Sequence, residues 1–300
     1  MIDLSGKTSS VVDEVGRACR EIGFLTVVGH GVPDELVERT ASIARGFFDL
    51  PGEEKLDVAQ GDQQLGLPVY RPLRSESLAA SLGQRTPGDL KESLDWGPAV
   101  PGYGWPPRPP GLRDAFQAYL AALGGLGERL RRLFALALEL PEDWFESAFR
   151  DHSSSMRVIN YPRPEGEIEP GQLRAGAHTD YGCMTILRTE DAPGGLQVQT
   201  PAGEWLDVHA VPGSFVVNLG DMMARLDERP LAGDAASCCR PAGRPARRQP
   251  PPDDRLLPRP ACDAVIECIP SCTDAGNPPR YEPVTALEHV NAKAAKAHAV

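Results

Sequence analysis

Three hundred residues, 41% hydrophobic and 24% charged, suffice for one large domain or two small ones around a substantial core. A net charge of −11 argues against nucleic acid or an anionic membrane surface as the main partner, because both select for clustered Lys and Arg; a small-molecule substrate fits better. Met1 to Leu4 lacks the basic and apolar regions of a signal peptide, the run Leu133 to Leu140 is too short to span a membrane, and seven cysteines without secretory context read as reduced thiols, so a cytoplasmic protein is expected.

Val11, Val12, Val15, Ala18, Cys19 and Ile22 recur at helical spacing, and a strand-like run, Phe24 to Val28, follows Gly23. Pro33 opens a second helix, carrying Leu36, Ile43, Phe47 and Phe48 and ending near Pro51. Turn residues from Ala59 to Gly104 predict loops with short strands. Leu120, Leu123, Leu126, Leu130, Leu133, Phe134 and Ala137 mark a long amphipathic helix, which Gly124 and Gly125 are expected to loosen. Short strands follow: Arg157 to Tyr161, His178 to Leu187, Leu196 to Gln199, Trp205 to Val208 and Ser214 to Leu219. Helices first and strands later predict an α+β chain with a C-terminal β-sandwich or barrel.

Leu226 to Cys262 breaks this pattern. Its 37 residues hold eight Pro and seven Arg and no Val, Ile, Phe, Tyr or Trp, so an irregular, poorly packed segment is expected where a sandwich places its last strands. The cysteines in and after it, Cys238, Cys239, Cys262, Cys268 and Cys272, lack the C-x2-C spacing of a zinc cluster.

His178-Thr179-Asp180 carries the chemistry. On a strand, side chains at i and i+2 share a face, so His178 and Asp180 could hold one metal, or pair as polar residues at a sandwich edge. A second His would complete the 2-His-1-carboxylate triad that suits Fe(II) and dioxygen. After Asp180 come His209, in a turn before Pro212, and His289 and His298, which read as solvated; His30, in Gly29-His30-Gly31, reads as a satisfied loop residue. Asn218 and Asp221 read as turn organisers, and Leu187 as core.

Several separate motifs extend this reading. Ala18 to Val32 (ACREIGFLTVVGHGV), Asp89 to Gly97 (DLKESLDWG), Trp105-Pro106 with Gly111 to Tyr119, Arg157 to Pro162 (RVINYP), the His-Thr-Asp stretch, Gly194 to Val198 and Val217 to Asp221 (VNLGD) follow one another in order. In that order they resemble the isopenicillin N synthase-like branch of the Fe(II)/2-oxoglutarate-dependent oxygenases. The resemblance implies a double-stranded β-helix (jelly-roll) core with N-terminal and flanking helices, formed by a 1–110 helical and strand region and a 111–300 oxygenase region. Fe(II), 2-oxoglutarate and dioxygen would be used to hydroxylate, desaturate or cyclise a small molecule; relatives that need no oxoacid, and a non-catalytic binding protein, are the alternatives. His178 and Asp180 match the first two iron ligands, and Tyr161 the Tyr that contacts an oxoacid or substrate carboxylate, although the Asn two residues before it is Ile159 here. The family's distal His and its carboxylate-binding Arg-x-Ser/Thr cannot be read in the chain.

Both fall within the anomalous tract. Back-translated and read one nucleotide later, Leu226 to Cys238 permits a segment like the family's distal-histidine strand, with the His at the slot of Ala236; Pro251 to Leu257 permits Arg-x-Thr-Ile-Ala-Phe-Phe. Two compensating frameshifts, near Arg225 and near Cys262, are the inferred origin of the tract; real divergence to a protein that no longer catalyses is the rival account. The polypeptide as written is expected to bind iron weakly through two ligands and to turn over little or not at all.

Overall fold

Apolar stripes at a spacing of three and four residues make the N-terminal helices, and alternating ones make the strands they cover. The computed structural model describes residues 1–59, 70–97, 105–163, 167–189, 195–200, 202–227, 252–276 and 278–297. In chain order these form β1 (Ile2–Asp3), α1 (Thr8–Glu21), β2 (Phe24–Val28), α2 (Asp34–Phe48), α3 (Gly52–Ala59), β3 (Tyr70–Arg71), β4 (Glu92–Trp96), α4 (Leu112–Ala137), α5 (Glu146–Phe149) and β5 (Ser155–Asn160). There follow β6 (Met184–Arg188), β7 (Gln197–Gln199), β8 (Trp205–Asp207), β9 (Phe215–Leu219), α6 (Asp221–Leu226), β10 (Asp253–Leu257), β11 (Val265–Ile266), β12 (Val284–Thr285) and α7 (Ala286–Ala297). The architecture is the expected α+β.

Eight strands form one sheet in the order β1-β2-β9-β6-β10-β5-β4-β3, so it draws strands from both sides of residue 110. Successive side chains alternate between its faces. Leu25, Val27, Leu94, Met156, Val158, Met184, Ile186, Phe215, Val217 and Leu256 lie in one core with the buried stripes of α1, α2 and α4. The opposite face carries Asp95, Arg157, Thr185, Asn218 and Arg255, with a small apolar cluster of Leu187, Leu196, Val198 and Val216 beside the β7–β8 hairpin. That second face holds the site.

Four features depart from the sequence reading. α4 runs unbroken through Gly124 and Gly125 and begins eight residues before Leu120, at Leu112, because its buried stripe already starts with Leu112, Ala115 and Phe116. His178 and Asp180 do not lie on a strand: β6 begins only at Met184, and the pair sits in the irregular stretch before it. That stretch is pressed against its neighbours, since a Cβ added at Gly176 would come 2.8 Å from the Ala79 side chain, and one at Gly182 would come 2.8 Å from the Pro258 carbonyl.

The third departure is within the anomalous tract. Residues 228–251 lie outside the described residues, but Asp253–Leu257 is no irregular segment; it is β10, paired antiparallel with β5 on one side and β6 on the other. Composition averaged over the tract hides this five-residue run, and ladder hydrogen bonds use backbone groups that every non-Pro residue possesses. Its side chains fit less well. Asp254 and Arg255 are buried, and Asp254 accepts a 2.5 Å hydrogen bond from Tyr119 Oη of α4 and lies 3.6 Å from Arg188. Finally, the C-terminal helix α7 has no counterpart in the sequence reading; it packs near the 3-10 turn Leu78–Leu82.

Candidate active site

His178 and Asp180 meet without the help of a strand. His178 Nδ1 lies 2.8 Å from the Gly176 carbonyl, which can only accept, so Nδ1 carries the proton and Nε2 the lone pair. Burial pushes the His178 pKa down to about 4, which keeps the ring neutral. Nε2 lies 3.8 Å from Asp180 Oδ1. Asp180 is fixed from its other oxygen: Thr185 Oγ1 on β6 donates to Oδ2 at 2.5 Å and Asn218 Nδ2 on β9 at 2.8 Å. Thr185 and Asn218 are directly paired across those strands. Asn218 therefore orients a carboxylate from within a strand and does not organise a turn. Burial acts to raise the Asp180 pKa, but the Arg255 guanidinium and these two donors outweigh it and hold the carboxyl below its usual range.

The pair opens onto a cavity of about 140 Å³ whose walls include Arg71, Asp95, Arg157, Arg255 and Arg259. Motif DLKESLDWG builds one wall by simple alternation. Leu94 and Trp96 enter the helix-facing core, whereas Asp95 faces the cavity side, where Arg157 grips it with two hydrogen bonds of 2.7 Å. Arg71 Nε adds a third, also 2.7 Å. Glu76 joins the same cluster, 3.1 Å from Arg71, 3.4 Å from Arg157 and 2.8 Å from Lys91. Burial alone would raise both carboxyls; the surrounding cations hold Glu76 well below, and Asp95 below, the usual range. This interlocked cluster escapes a sequence reading because Arg71 and Glu76 lie in no motif, and Lys91, Asp95 and Arg157, though inside motifs, carry no metal-ligand or nucleophile spacing.

The remaining predicted residues fall as follows. Tyr161 follows β5, half-buried, and is not among the residues lining the cavity. Leu187 is core. His209 is exposed, and His30 is a satisfied loop residue between the Gly213 carbonyl and the Val32 N–H. His289 is buried on α7, 3.9 Å from Asp221, and not solvated as its surface-like sequence context suggested; Lys293 pairs with the same carboxylate at 2.8 Å. Asp221 also accepts a 3.0 Å hydrogen bond from Thr179, which ties the helix to the His-Thr-Asp stretch. Cys238, Cys239, Ala236 and His298 lie outside the described residues.

Comparison with known proteins gives the family of the chain. Residues 1–114 match the family described as non-haem dioxygenase in morphine synthesis N-terminal, and residues 153–230 match the 2OG-Fe(II) oxygenase superfamily. The chain is 31% identical to the 2-oxoglutarate-Fe(II) type oxidoreductase hxnY of Emericella nidulans, an alignment covering 94% of this chain and 83% of that protein. It belongs to the 2-oxoglutarate/Fe(II) oxygenase superfamily. Its fold matches a 2OG-Fe(II) oxygenase family protein of Caulobacter crescentus, with a TM-score of 0.83 and 26% identity over 98% of this chain and 97% of that one. A full-length Neurospora crassa protein solved in complex with alpha-KG and thymine gives a TM-score of 0.84 at 25% identity, over 98% and 96% of the two chains. The core is thus a jelly roll, and the chain is by family an Fe(II)- and 2-oxoglutarate-dependent oxidoreductase acting with dioxygen on a small molecule. No described helix is long and apolar enough to cross a membrane.

The described residues supply two donors at the cavity, His178 and Asp180. Among the described residues no group of three or more His, Cys, Asp or Glu side chains could hold a metal ion. His178 and Asp180 bring together a neutral imidazole and an oriented carboxylate, and beside that carboxylate stands a guanidinium: Arg255 Nη1 lies 3.8 Å from Asp180 Oδ1.

Proposed function

We propose that His178 and Asp180 are the two metal ligands retained from the superfamily's site, and that the chain as written turns over weakly or not at all. The convergence of His178 Nε2 and Asp180 Oδ1 at 3.8 Å on the wall of a buried cavity carries this reading. The His tautomer supports it, since metal-ligating histidines are held by a hydrogen bond from the other ring nitrogen. Hydroxylation, desaturation or ring closure of a small molecule is the reaction class. The −11 net charge and a cavity of small-molecule dimensions favour a small molecule over nucleic acid, and the free cysteines Cys19, Cys183 and Cys262 favour a cytoplasmic setting.

Tract 226–262 is proposed to be the product of two compensating frameshifts. The superfamily match stops at residue 230, and β10 places Asp253, Asp254 and Arg255 in succession in the middle of a sheet. The test is succinate formation with Fe(II), 2-oxoglutarate and a metabolite panel, run on the chain as written and on a chain with the frame restored. Little or no product from the first and clear turnover from the second are expected. Robust turnover by the chain as written overturns the reading, as does coding DNA whose codons cannot spell the shifted segments.

A further inference from the structure

We propose that Arg255 occupies the electrostatic place of the metal, so that its guanidinium, and not the missing ligand alone, keeps a divalent cation off His178 and Asp180. This inference rests on the assignment of those two residues as metal ligands. It starts from one row of the sheet. Register places Asp95 opposite Arg157, Arg157 opposite Arg255, and Arg255 opposite Leu187, on the cavity face. Directly opposed like charges on neighbouring strands repel. Arg157 is committed to Asp95 through two 2.7 Å hydrogen bonds and to Glu76 at 3.4 Å. Arg255, with a cation on one side and Leu187 on the other, lies by Asp180, 3.8 Å from Oδ1, and is itself buried.

The carboxylate oxygen that faces Arg255 is the one that faces His178. Oδ2 is taken by Thr185 and Asn218, while Oδ1 lies 3.8 Å from His178 Nε2 and 3.8 Å from Arg255 Nη1. A divalent cation bound to Oδ1 at roughly 2.1 Å would therefore stand within about 6 Å of the guanidinium nitrogen. A dication and a permanently charged Arg at that range, walled from water, repel strongly. Arg255 cannot lose its charge to relieve this, and the opposing Arg157 hinders its swinging back along the row. In the shifted reading slot 255 is Ala, which would leave that space uncharged.

The experiment is Co(II) titration of the full-length chain, as an oxygen-stable probe for Fe(II), followed by calorimetry and by the visible absorption of bound Co(II). Arg255→Ala and the bulkier apolar Arg255→Met are expected to bind Co(II) at least about tenfold more tightly than the chain as written. Arg255→Lys, which keeps the charge, stays weak, and His178→Ala added to Arg255→Met abolishes the gain. Arg255→Met keeps the test open if the Ala variant does not fold. Equal affinity with and without the guanidinium overturns the proposal, as does a gain that survives loss of His178. If the chain as written already binds Co(II) in a His178-dependent way and Arg255→Met adds nothing, the ligand assignment stands and the Arg255 proposal alone fails. If no chain binds Co(II) through His178, both fail.

Discussion

β6 has two neighbours of the same length and the same antiparallel pairing, β9 and β10, and they could hardly differ more in what they carry. β9 reads Phe-Val-Val-Asn-Leu, every residue buried, with its one polar side chain aimed at Asp180. β10 reads Asp-Asp-Arg-Leu-Leu, and of its helix-facing residues Leu256 packs in the core while Asp254 depends on Tyr119 and Arg188. The backbone ladder therefore specifies where a strand lies, while side chains specify whether it contributes to the core and the site. β10 holds its slot by the first, with Leu256 its one side chain in the main core.

Substituting the apolar strand gives the largest effect. Val217→Asp would bury an unpaired charge against the helix layer, costing on the order of 4 kcal/mol or more, and should abolish cooperative thermal unfolding or soluble yield. A mild loss would mean that the two strands are equally tolerant and the contrast is false. Next comes Tyr119→Phe, which removes the hydroxyl that satisfies Asp254 and should cost about 1.5–3 kcal/mol. Adding Asp254→Leu to it should restore stability to the starting level or above, because an apolar replacement of a buried polar pair is often neutral or stabilising by about 1–4 kcal/mol. Urea denaturation of the three chains decides this; a double variant weaker than Tyr119→Phe would show that β10 relies on its charge.

The smallest effect is a pH slope. Burial, reinforced by the Asp254 charge, pushes Asp253 up to about 7 from an ordinary value of 3.8. Between those values the folded chain keeps a proton that the unfolded chain releases, so stability falls as pH rises from about 4 to 7. Asp253→Asn should flatten the upper part of that slope, measured as the urea midpoint from about pH 5 to 8. Asp89, raised by burial to about 6, contributes lower in the same window, and Asp89→Asn serves to separate them. An unchanged slope in Asp253→Asn would place that carboxyl in solvent.

What can be read in the sequence follows the same division. The apolar periodicities of α1, α2 and α4 and the strands β2, β5, β7 and β9 are legible, since each is an alternation, run or stripe that burial imposes. His178 and Asp180 are legible as a pair, although not for the strand geometry that first suggests them: the turn that joins them is set by contacts of Gly176 and Gly182 with residues far along the chain. β10 is invisible because its place comes from β5 and β6, not from its own residues. Arg71, Asp95 and Arg157 cannot be assembled in advance, as residues so far apart in the chain become one cluster only through the register of β3, β4 and β5, with Glu76 joining from the loop after β3.

α7 has a consequence for the shape of whatever the cavity admits. Val290 and Ala294 form part of its wall, one turn apart on a helix tied by Lys293 to Asp221, while the opposite wall is sheet. Widening the chamber from the sheet side would disturb the charge cluster, but trimming Val290 or enlarging Ala294 alters its capacity from outside the strands. The last helix is thus the part of the molecule where ligand size can be re-tuned while the floor is left as it is.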